Sequence, residues 1–421
     1  MDKLVIEGGF PLKGEVKVSG SKNSALPILA ATLLTDEPCV IRNVPKLRDT
    51  GTMIRLLKSL GKTIDWTDDK ITILTKGEIS HIADYKLVST MRGSFCVLGP
   101  LLGKLKKAKV SLPGGCVIGV RPVDLHLKGI KALGAKIEVD GGYVIATTKG
   151  LKGSHMYLGG VFGSSVLATA NVMMAACLAE GETIIESSAC EPEIEDLTNF
   201  LMAMGAKIEG KGTPRLKIQG VKSLHGVSYE IINDRIEAGT YMILAAMTRS
   251  NFTIKNACFE HLMALTDVLQ QAGVDVVPQN DNSVRVKVKR QLEPVNVNTY
   301  PYPGFPTDLQ AQFMAMMALT PGISVITDKV YPDRFIHIAE LNRMGANIRR
   351  EGMSSIVQGI PILRGAPVMA SDLRASAALV IAGLAAKGRT EIHRMYHLER
   401  GYENLDQKLM GLGAKVYREK E

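Results

Sequence analysis

Cysteine and aromatic residues are scarce in this chain of 421 residues. It has six cysteines without any C-x-x-C pair, aromatic residues make up 5% of it, and there is a single tryptophan. Cysteines used in this way argue against a disulfide framework and against a zinc ribbon. We therefore expect a reducing, cytoplasmic setting, an aliphatic core and no metal site built on cysteines.

Long hydrophobic segments are also lacking. The N-terminal residues 1–7 do not contain the apolar run of a signal peptide. The longest apolar stretches are interrupted by Asn171, or by Asp372 and Arg374, so we expect no membrane-spanning segment.

Basic residues exceed acidic ones, 51 against 42, which gives a net charge of +9. An excess of this size is compatible with nucleic acid, an acidic membrane surface or anionic small molecules as partners. The basic residues are scattered, and aromatic residues that could stack on bases are not interleaved with them. This pattern favours phosphorylated small molecules over nucleic acid.

A helix that ends at a glycine and is followed at once by a strand recurs along the chain. The glycines are spaced by 73, 71, 68, 72 and 68 residues: Gly61, Gly134, Gly205, Gly273, Gly345 and Gly413. Glycine is favoured directly after a helix, where the backbone turns left-handed. A polar turn before a strand of alternating aliphatic residues, as at 180–185 and 387–392, keeps the same period. Each repeat is therefore predicted to run helix, strand, helix, strand.

These repeats predict the fold class. A period of about 70 residues is longer than that of the common solenoids. It suits compact α/β units, and six of them divide naturally into three plus three, with a junction near residues 228–234. A cleft between two such halves would be the default ligand site.

Cys116 stands in the segment Pro113-Gly114-Gly115-Cys116. A thiol after two glycines lies on open backbone, and a thiol near cationic groups ionises and reacts. The other five cysteines have apolar or strand-like neighbours. On these residues alone, a reactive thiol and an ordinary thiol on a flexible turn are equally good interpretations.

Five segments in chain order carry a resemblance that covers essentially the whole sequence: Lys22–Pro27, Pro113–Asp124, Phe305–Phe313, Asp372–Ser376 and Arg400–Glu403. Together they resemble the family of UDP-N-acetylglucosamine enolpyruvyl transferases. The resemblance implies transfer of the enolpyruvyl group of phosphoenolpyruvate to the 3′-hydroxyl of UDP-N-acetylglucosamine with release of phosphate, the first committed step of peptidoglycan synthesis. It implies no cofactor, and it implies these two substrates as small-molecule partners, with neither nucleic acid nor a membrane; the oligomeric state stays open.

The resemblance also implies two inside-out α/β domains with the active site in the cleft between them. One domain would comprise residues 22–229, and the other residues 1–21 and 230–421, joined by the N-terminal strand. Binding of the sugar nucleotide would close the cleft and order the loop around Cys116.

Roles for individual residues follow from the same resemblance. Cys116 matches the proton donor, which can form an adduct with phosphoenolpyruvate and is the target of fosfomycin. The cations around phosphoenolpyruvate would be Lys22, Arg121 and Arg400. Asp308 matches the base near the sugar hydroxyl. On local sequence, however, Thr307 would cap a helix, and Asp308 in its first turn would be a stabilising anion.

Further substrate-binding residues implied by the resemblance are Asn23, Arg92, Pro122, Val123, Asp124, Leu125, Asp234, Val330, Arg334 and Arg374. His126 and His397 are expected to pack or hydrogen-bond and not to act as bases. Leu167 departs from the family, which has glycine there, so another acceptor remains an alternative: a different sugar nucleotide, or shikimate 3-phosphate. A catalytically silent binding protein would be expected to have lost Cys116, Asp308 or Arg400, and all three are present.

Overall fold

The computed structural model describes residues 2–68, 70–114 and 123–420. They form two compact units, which are named here by the part of the chain that builds most of each. The N-terminal unit comprises residues 20–68, 70–114 and 123–232, and the C-terminal unit comprises residues 2–19 and 233–420. Every helix within the described ranges is too short or too polar to cross a membrane.

Helices and strands alternate along both units. The α-helices are α1 (Lys22–Ala31), α2 (Arg48–Ser59), α3 (Tyr85–Val88), α4 (Leu98–Leu105), α5 (Asp124–Ala132), α6 (Val166–Ala176), α7 (Pro192–Ala203), α8 (Arg235–Met247), α9 (Met263–Gln271), α10 (Gln310–Met317), α11 (His337–Arg343), α12 (Leu373–Ala385) and α13 (Leu405–Gly411). The strands are β1 (Asp2–Gly8), β2 (Lys13–Lys17), β3 (Cys39–Arg42), β4 (Lys62–Trp66), β5 (Lys70–Thr75), β6 (Ile82–Ala83), β7 (Lys107–Ser111), β8 (Lys136–Asp140), β9 (Tyr143–Thr147), β10 (His155–Tyr157), β11 (Glu182–Glu186), β12 (Lys207–Glu209), β13 (Arg215–Gln219), β14 (Ser228–Glu230), β15 (Asn251–Lys255), β16 (Val274–Pro278), β17 (Ser283–Val288), β18 (Val297–Thr299), β19 (Ile323–Asp328), β20 (Asn347–Glu351), β21 (Ser354–Gln358), β22 (Pro367–Met369), β23 (Gly388–His393) and β24 (Lys415–Lys420).

The described strands form six four-stranded sheets, three in each unit, with one shared pattern of pairing. In each sheet the first strand is parallel to the second, the third is antiparallel to the second, and the fourth is antiparallel to the third. The orders are β14-β3-β5-β4, β6-β7-β9-β8 and β10-β11-β13-β12 in the N-terminal unit, and β2-β15-β17-β16, β18-β19-β21-β20 and β22-β23-β1-β24 in the C-terminal unit. The predicted six α/β repeats are confirmed.

The six spaced glycines have the predicted backbone geometry. Each directly follows the C-cap residue of a helix, two positions after the last helical residue, and their φ angles run from +86° to +106°. Side chains rarely adopt this left-handed region, whereas glycine does so without steric cost. Glycine therefore ends one helix of each repeat and starts the strand that follows.

Strands from distant parts of the sequence complete some of the sheets. In the C-terminal unit, β1 lies between β23 and β24, with Leu4 opposite Ile392 and Ile6 opposite Val416. In the N-terminal unit, β14 pairs with β3, so Tyr229 lies opposite Ile41. Each unit is thus closed by pairing between strands near the two ends of its sequence.

Helices form the interior of each unit and sheets lie outside. All residues of α8 and α10 are buried, as are most of α1, α6 and α12. The strands instead alternate between buried and exposed positions, as along β13. A sheet with one solvated face alternates in this way. The fold is therefore inside-out, as predicted.

Small residues allow the central helices to approach closely. A β-carbon on Gly99 of α4 would lie 2.1 Å from the backbone oxygen of Asn171 in α6. The Asn171 side chain in turn accepts a hydrogen bond from the Gly99 N–H at 2.7 Å. This buried amide therefore links α4 and α6 in the N-terminal unit.

Candidate active site

The Asp308 carboxylate of the C-terminal unit is held between two arginines. Arg334 Nη1 donates to Asp308 Oδ1 at 2.7 Å. Arg374 donates to Oδ2 through Nε at 3.2 Å and through Nη2 at 3.1 Å. The arginine side chains are 4% and 1% exposed, whereas Asp308 is 24% exposed. The carboxylate is thus the accessible part of a buried ionic cluster.

Both arginines of this cluster remain charged. Burial lowers the pKa of Arg334, but the neighbouring carboxylates, Asp308 first among them, together outweigh it, so that the pKa is raised. The same two opposing causes act on Arg374, and its pKa is also raised. Charged, planar donors of this kind suit carboxylate and phosphate groups. The structure brings together the predicted residues Asp308, Arg334 and Arg374.

The expected helix cap at Thr307 is wrong. The short 3-10 helix Thr307–Leu309 begins after Pro306, which makes no side-chain cap. The Thr307 hydroxyl instead donates to Asp328 Oδ2 at 2.7 Å. Thr307 is thus inside the helix and not at its cap position, and its hydroxyl is oriented by donating to Asp328 and accepting from Arg334 Nη1 at 3.2 Å.

A buried polar network supports the backbone of Asp308. Gln312 Nε2 donates to the Asp308 carbonyl oxygen at 3.0 Å and to the Tyr402 hydroxyl at 3.1 Å. The Tyr402 hydroxyl also lies 2.8 Å from Thr240 Oγ1. The Arg374 guanidinium lies 5.2 Å from the centre of the Tyr402 ring, within range of a cation–π contact. This network fixes the turn that carries Asp308.

Two further carboxylates cap central helices of the C-terminal unit. Asp234 Oδ1 accepts from Ile236 N–H at 2.8 Å and from Glu237 N–H at 3.0 Å, at the start of α8. Asp372 Oδ1 accepts from Arg374 N–H at 2.8 Å, at the start of α12. Asp234 was predicted to bind substrate, and its described contacts are those of a helix cap.

Val330 and Arg400 lie on other segments of the same unit. The N–H of Val330 donates to Asp328 Oδ1 at 3.0 Å, which fixes the loop after β19. Arg400 ends the 3-10 helix Met395–Arg400 and is partly buried. Burial, and then the charge of Arg400, lower the pKa of His397. These surroundings disfavour the charged form of His397.

Lys22 is a buried cation of the N-terminal unit. It is the first residue of α1, after Ser21, whose side chain accepts from Ser24 N–H at 3.3 Å. Lys22 Nζ lies 3.2 Å from Asp49 Oδ2, and the two side chains are 8% and 4% exposed. Asn23 follows on the same helical turn. Because charges are buried only at a cost, Asp49 stabilises the ammonium of Lys22 in place.

His126 is a structural residue. Its Nδ1 lies 2.9 Å from Asn171 Nδ2, which also donates to the Phe95 carbonyl oxygen at 2.9 Å. Since the amide nitrogen can only donate, Nδ1 must accept, which requires a neutral ring. Burial and then the charge of Arg92 lower the pKa of His126 to about 3. His126 is thus a buried hydrogen-bonding residue, in line with the expectation, and Arg92 lies within electrostatic range of it.

The predicted segment from Arg121 to Leu125 is only partly described. Val123 caps α5, Asp124 is its exposed first residue, and Leu125 is partly buried. Three predicted residues lie outside the described residues: Cys116, Arg121 and Pro122. Leu167 lies in the first turn of α6 and packs against the core of the N-terminal unit. Its side chain is therefore used for packing in this chain.

Burial dominates the surroundings of most of the other cysteines. Cys39, Cys96 and Cys177 are buried, and Cys190 and Cys258 are partly buried. Burial raises the pKa of both Cys96 and Cys177 to about 12. A thiol with a raised pKa is a poor nucleophile at neutral pH.

The matching family model bears the description EPSP synthase (3-phosphoshikimate 1-carboxyvinyltransferase) and covers residues 6–409. The chain is 52% identical over 421 residues to the UDP-N-acetylglucosamine 1-carboxyvinyltransferase of Geotalea uraniireducens, and 52% identical over 419 residues to that of Methylacidiphilum infernorum. The first alignment covers 100% of both proteins, and the second covers 99% of both.

Solved structures show the same fold. The enolpyruvyl transferase NikO from Streptomyces tendae matches with a TM-score of 0.89 at 25% identity, over 100% of this chain and 99% of that one. An EPSP synthase from Acinetobacter baumannii matches with a TM-score of 0.78 at 17% identity, over 100% of both chains, and supports the fold alone. The chain therefore belongs to the enolpyruvyl transferase family, and its full-length relatives place it with the UDP-N-acetylglucosamine 1-carboxyvinyltransferases.

Proposed function

We propose that this protein transfers the enolpyruvyl group of phosphoenolpyruvate to the 3′-hydroxyl of UDP-N-acetylglucosamine and releases phosphate, as the first committed step of peptidoglycan synthesis. The observation that carries the proposal is its 52% identity to UDP-N-acetylglucosamine 1-carboxyvinyltransferases over the whole chain. The charged clusters around Asp308 and Lys22 support it, because both substrates are anions.

The proposed reaction is an addition followed by an elimination. The sugar oxygen bonds to the carbon of phosphoenolpyruvate that carries the phosphate, and a proton is added to the methylene carbon. The methyl group formed in this way then loses a proton, so that the carbon–carbon double bond forms again. At the same time the bond between carbon and the phosphate oxygen breaks, and inorganic phosphate leaves. Such a reaction needs a proton acceptor for the hydroxyl, a proton donor for the methylene, and cations near the phosphate and carboxylate.

Asp308 is proposed to orient the sugar hydroxyl and to accept its proton as the new bond forms. Oδ1 accepts from Arg334 and Oδ2 accepts twice from Arg374, and the Asp308 side chain is 24% exposed, so a sugar hydroxyl can reach it. The two guanidinium groups stabilise the anion and so weaken its basicity. Asp308 therefore acts mainly by orientation, with proton acceptance late in the step.

Cations are proposed to hold the anionic substrate groups. Lys22 offers a compact ammonium, and Arg121 and Arg400 offer paired donors for carboxylate or phosphate. Asn23, Arg92, Pro122, Val123, Asp124, Leu125, Asp234, Val330, Arg334 and Arg374 complete the proposed set of substrate-binding residues. Cys116 is proposed as the donor of the methylene proton, and the proposed location is the cytoplasm.

The test is phosphate release from phosphoenolpyruvate with different acceptors in parallel reactions. We expect rapid release with UDP-N-acetylglucosamine and only background release with shikimate 3-phosphate or without an acceptor. A variant Cys116→Ala, assayed at the same concentration, controls for contaminating phosphatases. Release that depends on shikimate 3-phosphate and not on the sugar nucleotide would refute the proposed acceptor.

A further inference from the structure

Asp328 ends strand β19 and is completely buried in the C-terminal unit. Its Oδ1 accepts from the N–H groups of Val330 at 3.0 Å and Tyr331 at 2.8 Å. The same oxygen accepts from the Thr299 hydroxyl at 2.7 Å. A buried carboxylate needs such donors because it has left water. These three contacts hold the loop after β19 against the end of β18.

The second oxygen of Asp328 serves a different segment. Oδ2 accepts from the Thr307 hydroxyl at 2.7 Å, which directs the hydroxyl proton towards Asp328. A lone pair of Thr307 Oγ1 therefore remains for Arg334 Nη1, which donates to it at 3.2 Å. The same nitrogen donates to Asp308 Oδ1 at 2.7 Å. A continuous path thus runs from Asp328 through Thr307 to the Arg334–Asp308 pair.

The polarity of this path depends on the carboxylate. An acceptor at Asp328 fixes the direction of the Thr307 hydroxyl, and this direction allows Arg334 to donate. Asp328 also anchors the start of the Val330–Arg334 loop by two backbone hydrogen bonds. The relative placement of Asp308 and Arg334 therefore depends on the buried side chain of Asp328, although none of the described hydrogen bonds joins Asp328 directly to either of them.

We propose that Asp328 is a positioning residue for the enolpyruvyl transfer, which fixes the Arg334–Asp308 pair through the Thr307 hydroxyl and through the backbone of the Val330–Arg334 loop. This inference rests on the proposed function. A displacement of about 1 Å in a reacting group can lower turnover roughly a hundredfold, so that a residue one step removed can control the rate.

Two threonines that donate to the same carboxylate provide a matched test. Thr307→Val removes the hydroxyl between Asp328 and Arg334 at nearly constant volume. Thr299→Val removes an equally short hydrogen bond, also of 2.7 Å, to the other oxygen of Asp328, and with it the acceptor of the Lys329 N–H. Thr307→Ser keeps the hydroxyl and serves as the conservative rescue. Asp328→Asn puts an amide NH2, which can only donate, in place of one carboxylate oxygen. The oxygen lost is either Oδ2, which accepts from Thr307, or Oδ1, which accepts from the loop.

Turnover and KM are to be measured for each variant together with its melting temperature. We expect Thr307→Val and Asp328→Asn to lower kcat about tenfold to a hundredfold. Thr307→Ser should stay within about threefold and Thr299→Val within about twofold of wild type, although Thr299→Val lowers the melting temperature. The proposal would be wrong if Thr299→Val and Thr307→Val lost kcat equally, or if Thr307→Val were fully active. Asp328 would then stabilise the fold without positioning the Arg334–Asp308 pair.

Amide hydrogen exchange separates this inference from the proposed acceptor. The N–H groups of Val330 and Tyr331 donate to Asp328, so Asp328→Asn should speed their exchange and that of the 307–309 segment. If the wild type proved inactive with UDP-N-acetylglucosamine, the proposed function would fail by itself. The exchange measurement would still be decisive in that case. Unchanged exchange of residues 330–331 and 307–309 in Asp328→Asn would overturn the role given to Asp328, and faster exchange in both segments would support it.

Discussion

Arg374 contacts Asp308 through two nitrogens, Nε at 3.2 Å and Nη2 at 3.1 Å from the same carboxylate oxygen. Arg374 is almost fully buried, and the carboxylate is the part of the pair that remains accessible. The arginine thus presents Asp308 as an oriented anion. This arrangement defines what the loss of the carboxylate should do.

Replacement of Asp308 should affect turnover and stability separately. Asp308→Asn keeps the shape but loses the charge, and we expect kcat to fall at least about a hundredfold. Asp308→Ala also leaves two buried guanidinium groups without their anion, which costs about 3 kcal/mol in the free energy of unfolding. Steady-state assays and urea unfolding of both variants check this. An Asp308→Asn variant with normal kcat would exclude Asp308 from the chemistry.

Lys22 should be needed for catalysis, while its pairing with Asp49 should matter for stability. Lys22→Ala removes a cation from a pair with side chains 8% and 4% exposed, so it should lower both kcat/KM for phosphoenolpyruvate and the melting temperature. The double variant Lys22→Ala/Asp49→Asn removes the buried charge left behind. We expect it to regain most of the melting temperature and none of the activity. Recovery of activity in the double variant would disprove the role given to Lys22.

Cys116 should be the site of inactivation by fosfomycin, an epoxide that imitates phosphoenolpyruvate. Cys96 and Cys177 are buried and their pKa values are raised to about 12, which makes them unreactive. Peptide mass mapping after treatment should place the adduct on Cys116. Cys190→Ser should be inactivated like the wild type. An adduct on another cysteine that forms in step with the loss of activity would contradict the prediction.

Lys62 should make stability depend on alkaline pH. Its ammonium donates to the Thr35 carbonyl oxygen at 2.7 Å and to Thr75 Oγ1 at 2.8 Å, and burial lowers its pKa from 10.5 to about 8. Below pH 8 the folded state carries a buried charge that the unfolded state solvates, at a cost of about 3 kcal/mol. Above about pH 10.5 the amine is neutral in both states, and the cost disappears.

The measurement for Lys62 compares wild type with Lys62→Met by urea unfolding between pH 7 and about pH 10. The stability of the wild type should rise relative to that of the variant as the pH increases through this window, because the penalty is lost only in the wild type. Other titrating groups change both proteins alike. Parallel pH curves for the two proteins would show that Lys62 keeps an ordinary pKa.

The repeats and the fold could be predicted because their signals are local. A left-handed residue after a helix favours glycine, and Gly345 and Gly413 mark such positions without reference to the rest of the chain. The histidines were also predictable, since a single histidine in an apolar segment is more often structural. His126 has this role.

The contacts of the candidate site could not be predicted because they join distant residues. Thr307 looked like a helix cap, but its partner Asp328 lies 21 residues further along the chain. Asp49 pairs with Lys22 across 27 positions, and nothing in its own surroundings distinguishes it from a solvated acid. Such pairings depend on how helices and loops pack, which single-sequence patterns do not encode.

The identity of the reaction product tests the central claim most directly. The enzyme is to be incubated with UDP-N-acetylglucosamine and phosphoenolpyruvate labelled with carbon-13 at the carbon that bears the phosphate, and the product examined by NMR. The account predicts a labelled vinyl ether whose carbon couples to the proton at position 3 of the N-acetylglucosamine ring. Label found only in pyruvate, or attached to a different position or acceptor, would contradict it.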